Sequence, residues 1–315
     1  MRNYWLDGIM GLVTGDALGF PVQFMERELI RNRPQGPVVG MEPLQKHHIE
    51  KGTWSDDSSM SLVELDSIRR LDRIDLSDIM NGFVRWVDKG EYTPFGKAID
   101  MGCTCLRAIG RYKEEKDVTC CGCSSESSNG NGSLMRILPV CLYAYERKLP
   151  EVEAVKTVHE VSGLTHNHLR AKIACGLYYF CVKEIMEGEG SLHDRLQNGL
   201  DKGFSFYEKD AMNAAQLTYY DRLRDLKKLA AVPEEGVGSS GYVVDTIEAA
   251  LWSLVRTDNY RGCLLTAVNL GDDSDSVGAV AGGLAGLYYG YSGIPEEWLA
   301  DILRREWVES FCRME

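Results

Sequence analysis

The sequence predicts an all-α fold, a single compact multi-helix domain over residues 1–315. Three observations carry this: apolar residues recur at helical spacing along most of the chain, alternating strand patterns are scarce, and the informative motifs lie toward both ends. In chain order, the first helix is expected from Tyr4 to Leu18 and a second from Met60 to Leu71. Ser77 is a candidate N-cap for the stripe Ile79, Met80, Phe83, Trp86 and Val87. Pro150 suits the first turn of a helix bearing Val152, Val155 and Val158. Further helices are expected over His168–Ile185, Asp210–Leu229, Val243–Val255, Tyr260–Leu270 and Asp275–Tyr289. After Pro295 the residues Trp298, Leu299, Ile302, Leu303 and Trp307 form a last stripe. Arg31–Gly52 and Cys120–Gly132 are too rich in Gly, Pro, Ser or Asn to bury a periodic face, and Pro233–Gly241 reads as a connection. Long irregular segments in a compact domain are often functional.

Lys plus Arg number 35 against 47 for Asp plus Glu, a formal net charge of −12. That balance repels phosphate backbones and anionic membrane surfaces, so no general nucleic-acid-binding face is expected. The longest apolar run, Val277–Gly290, is too short and glycine-rich to span a bilayer, and no targeting signal is expected at Met1-Arg2-Asn3-Tyr4. Ten cysteines scattered through a long chain fit a reducing cytoplasm better than a disulfide framework. Cys120, Cys121 and Cys123, with Cys103 and Cys105, lack the paired knuckles of a structural zinc site and read as free thiols.

Two acidic clusters stand at helix starts. Ser55-Asp56-Asp57 follows Thr53-Trp54, and Asp272-Asp273-Ser274-Asp275-Ser276 follows Gly271 and runs into the small-residue stretch Val277–Gly283. Capping and the helix dipole account for either cluster alone. Carboxylates at the mouth of a close-packed helix, however, repel one another unless a cation is shared. Carboxylates and hydroxyls are hard donors, suited to Mg²⁺, Mn²⁺ or Ca²⁺, and the two clusters together hold enough of them for a binuclear centre. A third feature, Ser128-Asn129-Gly130-Asn131-Gly132-Ser133-Leu134-Met135-Arg136, can hold phosphate oxygens on backbone amides or can be a glycine turn before a core helix. His166 and His168, two residues apart, do not face one another on a helix, which disfavours a histidine metal pair. Tyr242 emerges from a glycine-rich connection, either to stack on a base or to cover the core.

Taken together and in order, these segments resemble the ADP-ribosylglycohydrolase family. Gly11–Gly19 is similar to its opening helix, Thr53–Asp57 to its Thr-Asp-Asp motif, Asn129–Arg136 to its Asn-Gly loop and Leu164-Thr165-His166 to its Thr-His step. Gly241–Ala249 and Asn269–Ser276 complete the pattern. The resemblance implies an all-α fold and two Mg²⁺ or Mn²⁺ ions, held by Ser55, Asp56, Asp57, Asp273, Asp275 and Ser276. It implies ADP-ribose against Asn129, Gly130, Asn131, Gly132, Ser133 and Met135, with His166 nearby and Tyr242 on the adenosine side. Asp56, Asp57 and Asp275 are then the catalytic carboxylates of a hydrolase that cleaves ADP-ribose from an acceptor on a protein or small molecule.

One position departs from the pattern. Many members carry glutamate seven residues after the aspartate corresponding to Asp16, where this chain has Gln23. An amide positions a hydroxyl or water but removes no proton. Gln23 therefore keeps open a non-catalytic ADP-ribose-binding module, beside a hydrolase of another phosphorylated nucleoside. Glu26 and Glu28 lie near in sequence.

Overall fold

The computed structural model describes residues 2–44 and 49–313, and among them it contains α-helices, short 3₁₀ turns and isolated bridges but no strand. The expected all-α fold is therefore the observed one. Residues 45–48, inside the expected irregular segment, lie outside the described residues. The helices are α1 (Tyr4–Gly19), α2 (Arg27–Arg31), α3 (Asp56–Leu71), α4 (Leu76–Lys89), α5 (Cys103–Glu115), α6 (Leu138–Glu146), α7 (Glu151–Gly163) and α8 (Leu169–Glu187). They continue with α9 (Leu192–Tyr207), α10 (Ala211–Leu217), α11 (Leu226–Ala230), α12 (Val243–Val255), α13 (Tyr260–Val268), α14 (Ser274–Tyr289), α15 (Glu296–Asp301) and α16 (Arg305–Phe311). One apolar core joins residues from α1 to the C-terminal Cys312.

The central pair is α1 against α14, buried on nearly every face and mostly apolar, as core helices are. Gly11, Gly15 and Gly19 face Gly282, Gly278 and Ser274, so closely that a Cβ on any of these glycines would collide with the opposing backbone. The small-residue stretch thus brings two backbones together, and with them the carboxylates at the adjoining helix ends: Asp16 on α1 and Asp275 on α14.

The differences from the sequence expectations have local causes. Asp75, not Ser77, caps α4, its carboxylate accepting from the Asp78 N–H at 3.0 Å. The expected helix over Asp210–Leu229 is broken: α10 passes into a 3₁₀ turn over Thr218–Arg224, and Asp225 then caps α11. The last stripe is likewise split at Arg304, whose φ is +57°. Helices α5 and α9 went unforeseen. The first opens at Gly102 with no side-chain cap, so nothing in its sequence announces a start; the second has a capping box, Ser191 with Asp194, that does announce one.

Candidate active site

Asp16 organises the site from beneath. Its buried carboxylate accepts from the N–H of Ser55 at 3.0 and 2.9 Å, from the N–H of Ser58 at 3.0 Å and from the Ser58 hydroxyl at 2.5 Å. An aspartate of the core helix therefore supplies the anion that the N-terminus of α3 favours. Burial raises its pKa to about 6, against the lowering effect of those hydrogen bonds. Ser55 is the N-cap of α3, its hydroxyl accepting from the Asp57 N–H at 3.4 Å and donating to Asp57 Oδ2 at 3.1 Å. Asp56 and Asp57 follow in the first turn, almost without solvent exposure.

Across from them, Gly271 and Asp272 both adopt left-handed φ values, +77° and +52°, turning the chain into α14. Asp273 receives the Asn131 amide at 2.7 Å, and the same amide nitrogen donates to Thr246 Oγ1 at 2.9 Å. Asp275 Oδ1 accepts from the Ser276 N–H at 2.9 Å. The Asn131 N–H donates to the Gly241 carbonyl at 3.0 Å, fixing the Asn-Gly loop beside the 240s.

These segments enclose a cleft of about 350 Å³ whose lining includes Gln23, Asp56, Asp57, Asp100, Gly130, Asn131, Gly132, Met135, His166, Asp273 and Ser276. Asp275 lies fully buried behind this lining. The two acidic motifs, separated by most of the chain, thus meet. Burial first, and neighbouring carboxylates second, push the pKa values of Asp56, Asp57 and Asp275 well above the usual carboxylate range. Asp57 Oδ1 and Asp275 Oδ2 have no hydrogen-bond partner. Among the described residues, no three His, Cys, Asp or Glu side chains form a ready-made metal cage; the acids surround the cleft instead.

Several expected residues sit elsewhere. Ser133 is fully buried behind the loop, where its hydroxyl accepts from Ser162 at 2.9 Å and meets Cys175 Sγ at 3.5 Å. It therefore does not line the cleft. Nor do Ser55, engaged in its cap, or Asn129 and Tyr242, whose backbones pair with Val243 and Gly130. The Tyr242 hydroxyl instead accepts from Arg170 at 3.1 Å. His166 does line the cleft, from under the loop, where a Cβ at Gly132 would be 2.7 Å from its ring. Burial, then Arg136, pushes the His166 pKa down to about 3, so the imidazole is neutral, with Nδ1 2.9 Å from Thr165 Oγ1. His168 caps α8 and approaches Glu126. Glu26 and Glu28 stay outside the cleft.

Sequence reasoning missed two participants. Asp100, φ +55°, reaches the cleft from the loop before α5 and accepts from the Gln23 amide at 2.5 Å. A lone aspartate in a Gly/Pro-containing segment carries no signal beyond that composition. Arg136 is the other: fully buried, it pairs with the equally buried Glu64 and donates to Gly132 O at 3.2 Å, Val161 O at 3.2 Å and Thr165 Oγ1 at 2.9 Å. It pins the loop's last glycine from below.

Comparison with known proteins decides the family. The ADP-ribosylglycohydrolase family description matches residues 3–314. The chain belongs to the ADP-ribosylglycohydrolase family. An ADP-ribosylarginine hydrolase of Pseudomonas putida is 31% identical over 305 residues, 97% of this chain and 76% of that protein. The ADP-ribosyl-dinitrogen reductase glycohydrolase of Rhodospirillum rubrum is 30% identical over 304 residues, 94% of this chain and 89% of its own. A solved structure described as an ADP-ribosylglycohydrolase-related protein complex aligns with a TM-score of 0.75 at 29% identity, covering 98% of this chain and 95% of that one.

Proposed function

We propose that this ADP-ribosylglycohydrolase family member releases ADP-ribose from a modified acceptor, using the acidic cleft with divalent cations bound in it. The observation that carries the reading is the union, in one cleft, of buried carboxylates bearing unpartnered oxygens with a glycine-asparagine loop. Unpaired buried carboxylate oxygens are costly, and so many like charges in one place either hold protons or need a cation. The donor set fits a hard divalent ion: Asp56, Asp57, Asp273, Asp275 and the Ser276 hydroxyl, with Ser55 supporting Asp57 from its cap. When bound, Mg²⁺ or Mn²⁺ would supply positive charge to ribose hydroxyls and lower the pKa of a water.

The chain's own residues perform the remaining tasks. The backbone amides of Gly130 and Gly132 offer donors to pyrophosphate and ribose oxygens, the Asn131 N–H being engaged with Gly241, and glycine lets the backbone approach them closely. Cleavage of the C1″ bond leaves its electron pair on the acceptor, which gains a proton, while water adds to the sugar carbon and loses one. The surrounding carboxylates offset the oxocarbenium charge developing between these events. Asp100 is placed to orient that water or accept its proton, and the Gln23 amide fixes its carboxylate, so the glutamine does not leave that wall without an acid. This favours an enzyme over a non-catalytic module.

Two relatives are ADP-ribosylarginine hydrolases, which favours an arginine acceptor. All ten cysteines are free, which fits a reducing cytoplasm. The test is chromatographic detection of free ADP-ribose after incubation with arginine-, serine- and nucleic-acid-linked adducts, with Mg²⁺ or Mn²⁺. Turnover of the arginine adduct supports the reading; binding of ADP-ribose without release from any adduct refutes it.

A further inference from the structure

Phe24 and Met101 share one wall of the cleft with Gln23 and Asp100, held together by the 2.5 Å Gln23–Asp100 hydrogen bond. Phe24 is 72% exposed and Met101 36% exposed. Neither is there for the core. The φ of Phe24 is +60°, a region that β-substituted aromatic residues rarely adopt and where glycine or asparagine fits better. That backbone is strapped down: the Phe24 N–H donates to the Asp272 carbonyl at 2.6 Å, and the Asp272 N–H donates to the Met25 carbonyl at 2.9 Å. The fold thus holds a large apolar side chain in a strained conformation, in solvent, beside a binding cleft. Strain of this kind persists where the surrounding structure enforces it, and it gathers at binding sites.

The cleft's chemistry says which part of a ligand meets that wall. No Lys or Arg lines it, so a pyrophosphate turns to backbone amides, and the hydrolase reading seats it on those of Gly130 and Gly132. The ribose then lies over the carboxylates, and the acceptor leaves toward the side where Phe24 and Met101 stand. A free amino acid ends near Asp100, whereas a polypeptide must pass both apolar side chains. Methionine adapts to varied neighbours, and an exposed phenyl ring offers a flat face to aliphatic or guanidinium groups.

We propose that Phe24 and Met101 are acceptor-side lips that select ADP-ribosylated polypeptide over small ADP-ribosyl adducts. This rests on the hydrolase reading above. The test compares kcat/KM for an arginine-ADP-ribosylated peptide with that for ADP-ribosylarginine, in wild type, Phe24→Gly and Phe24→Tyr. Removing the ring should lower the peptide-to-small-adduct ratio on the order of tenfold, mainly through KM, the expected result of losing one buried phenyl contact. Phe24→Tyr should restore the ratio. Since the ring does not support the fold, the thermal midpoint of Phe24→Gly should stay within about 3 °C of wild type. A ratio unchanged in Phe24→Gly, or a midpoint lowered by more than about 5 °C, would overturn the proposal. If wild type cleaves neither adduct, the hydrolase reading has failed and the same ratio is taken on dissociation constants. A tenfold loss specific to the peptide then upholds the lips, and equal affinities overturn them.

Discussion

Replacing Gly278 by alanine tests how the two acidic motifs are brought together. The added methyl would run into the carbonyl oxygen of Gly15, a backbone atom that no rotamer change can move. Helix α14 must then shift away from α1, which also loosens the contacts at Gly282 and Gly11 one turn further on. Overpacking of a core typically costs about 1–3 kcal/mol, and a backbone collision lies at or above the upper end. Against this, alanine gains about 1 kcal/mol in helix propensity over glycine. The expected net loss is about 2–3 kcal/mol, read as a fall in thermal midpoint of roughly 4–10 °C for a domain of this size. Activity should fall further than stability. Asp275 sits one turn before Gly278, and a displacement near 1 Å between catalytic groups can cost on the order of 10² in rate. Gly110→Ala in α5 is the control, because a Cβ there meets nothing within 4 Å. That variant should gain about 0.5–1 kcal/mol. Calorimetry and ADP-ribose release on both variants check the reasoning, and a Gly278→Ala protein as stable as Gly110→Ala would refute it.

Arg136→Met leaves Glu64 buried without its partner and should cost about 3–5 kcal/mol in denaturant unfolding, whereas Arg136→Met combined with Glu64→Leu should recover a large share of the loss. His159 stacks on Tyr207, hydrogen-bonded to its hydroxyl at 2.8 Å, and burial, then Lys172, pushes its pKa down to about 3. Between pH 6.5 and 3 the unfolded chain binds a proton there that the folded chain does not, so this stabilisation is complete above about pH 6.5 and fades as pH falls. The buried carboxylates titrate with the opposite sign, so the effect is read as the difference in unfolding free energy between wild type and His159→Gln, which should shrink on acidification from pH 7 to pH 5. At the cleft, Asp100→Asn should lower turnover on the order of 10², and Gln23→Ala by about tenfold or less, as expected for a positioning hydrogen bond. An inactive wild type made active by Gln23→Glu would instead mark a degenerate binding module.

Much of this architecture is legible before folding because the signals are redundant. Helical periodicity marks most of the long helices, and the acidic motifs declare themselves by placing like charges next to a glycine-rich apolar run. What stays hidden depends on tertiary partners. Ser133 sits among the expected phosphate-loop residues, yet its hydroxyl is turned to Ser162, and no sequence rule says which side of the loop faces the ligand. Asp16 reads as part of an opening helix, but its role as the anchor of α3 appears only when Ser55 and Ser58 meet it. Asp100 belongs to no motif, and only its hydrogen bond to Gln23 reveals that it joins the cleft wall. The break at Thr218–Arg224 is equally silent, since the apolar residues on either side keep a helical spacing.

The most direct test of the account is release of ADP-ribose from an arginine-ADP-ribosylated polypeptide by metal-stripped protein, titrated with Mg²⁺ or Mn²⁺ and compared with Asp275→Asn. The account predicts turnover that depends on added divalent ion and falls on the order of 10² or more when the Asp275 charge is removed at saturating metal. Release that needs no divalent ion and proceeds at the wild-type rate in Asp275→Asn would contradict it.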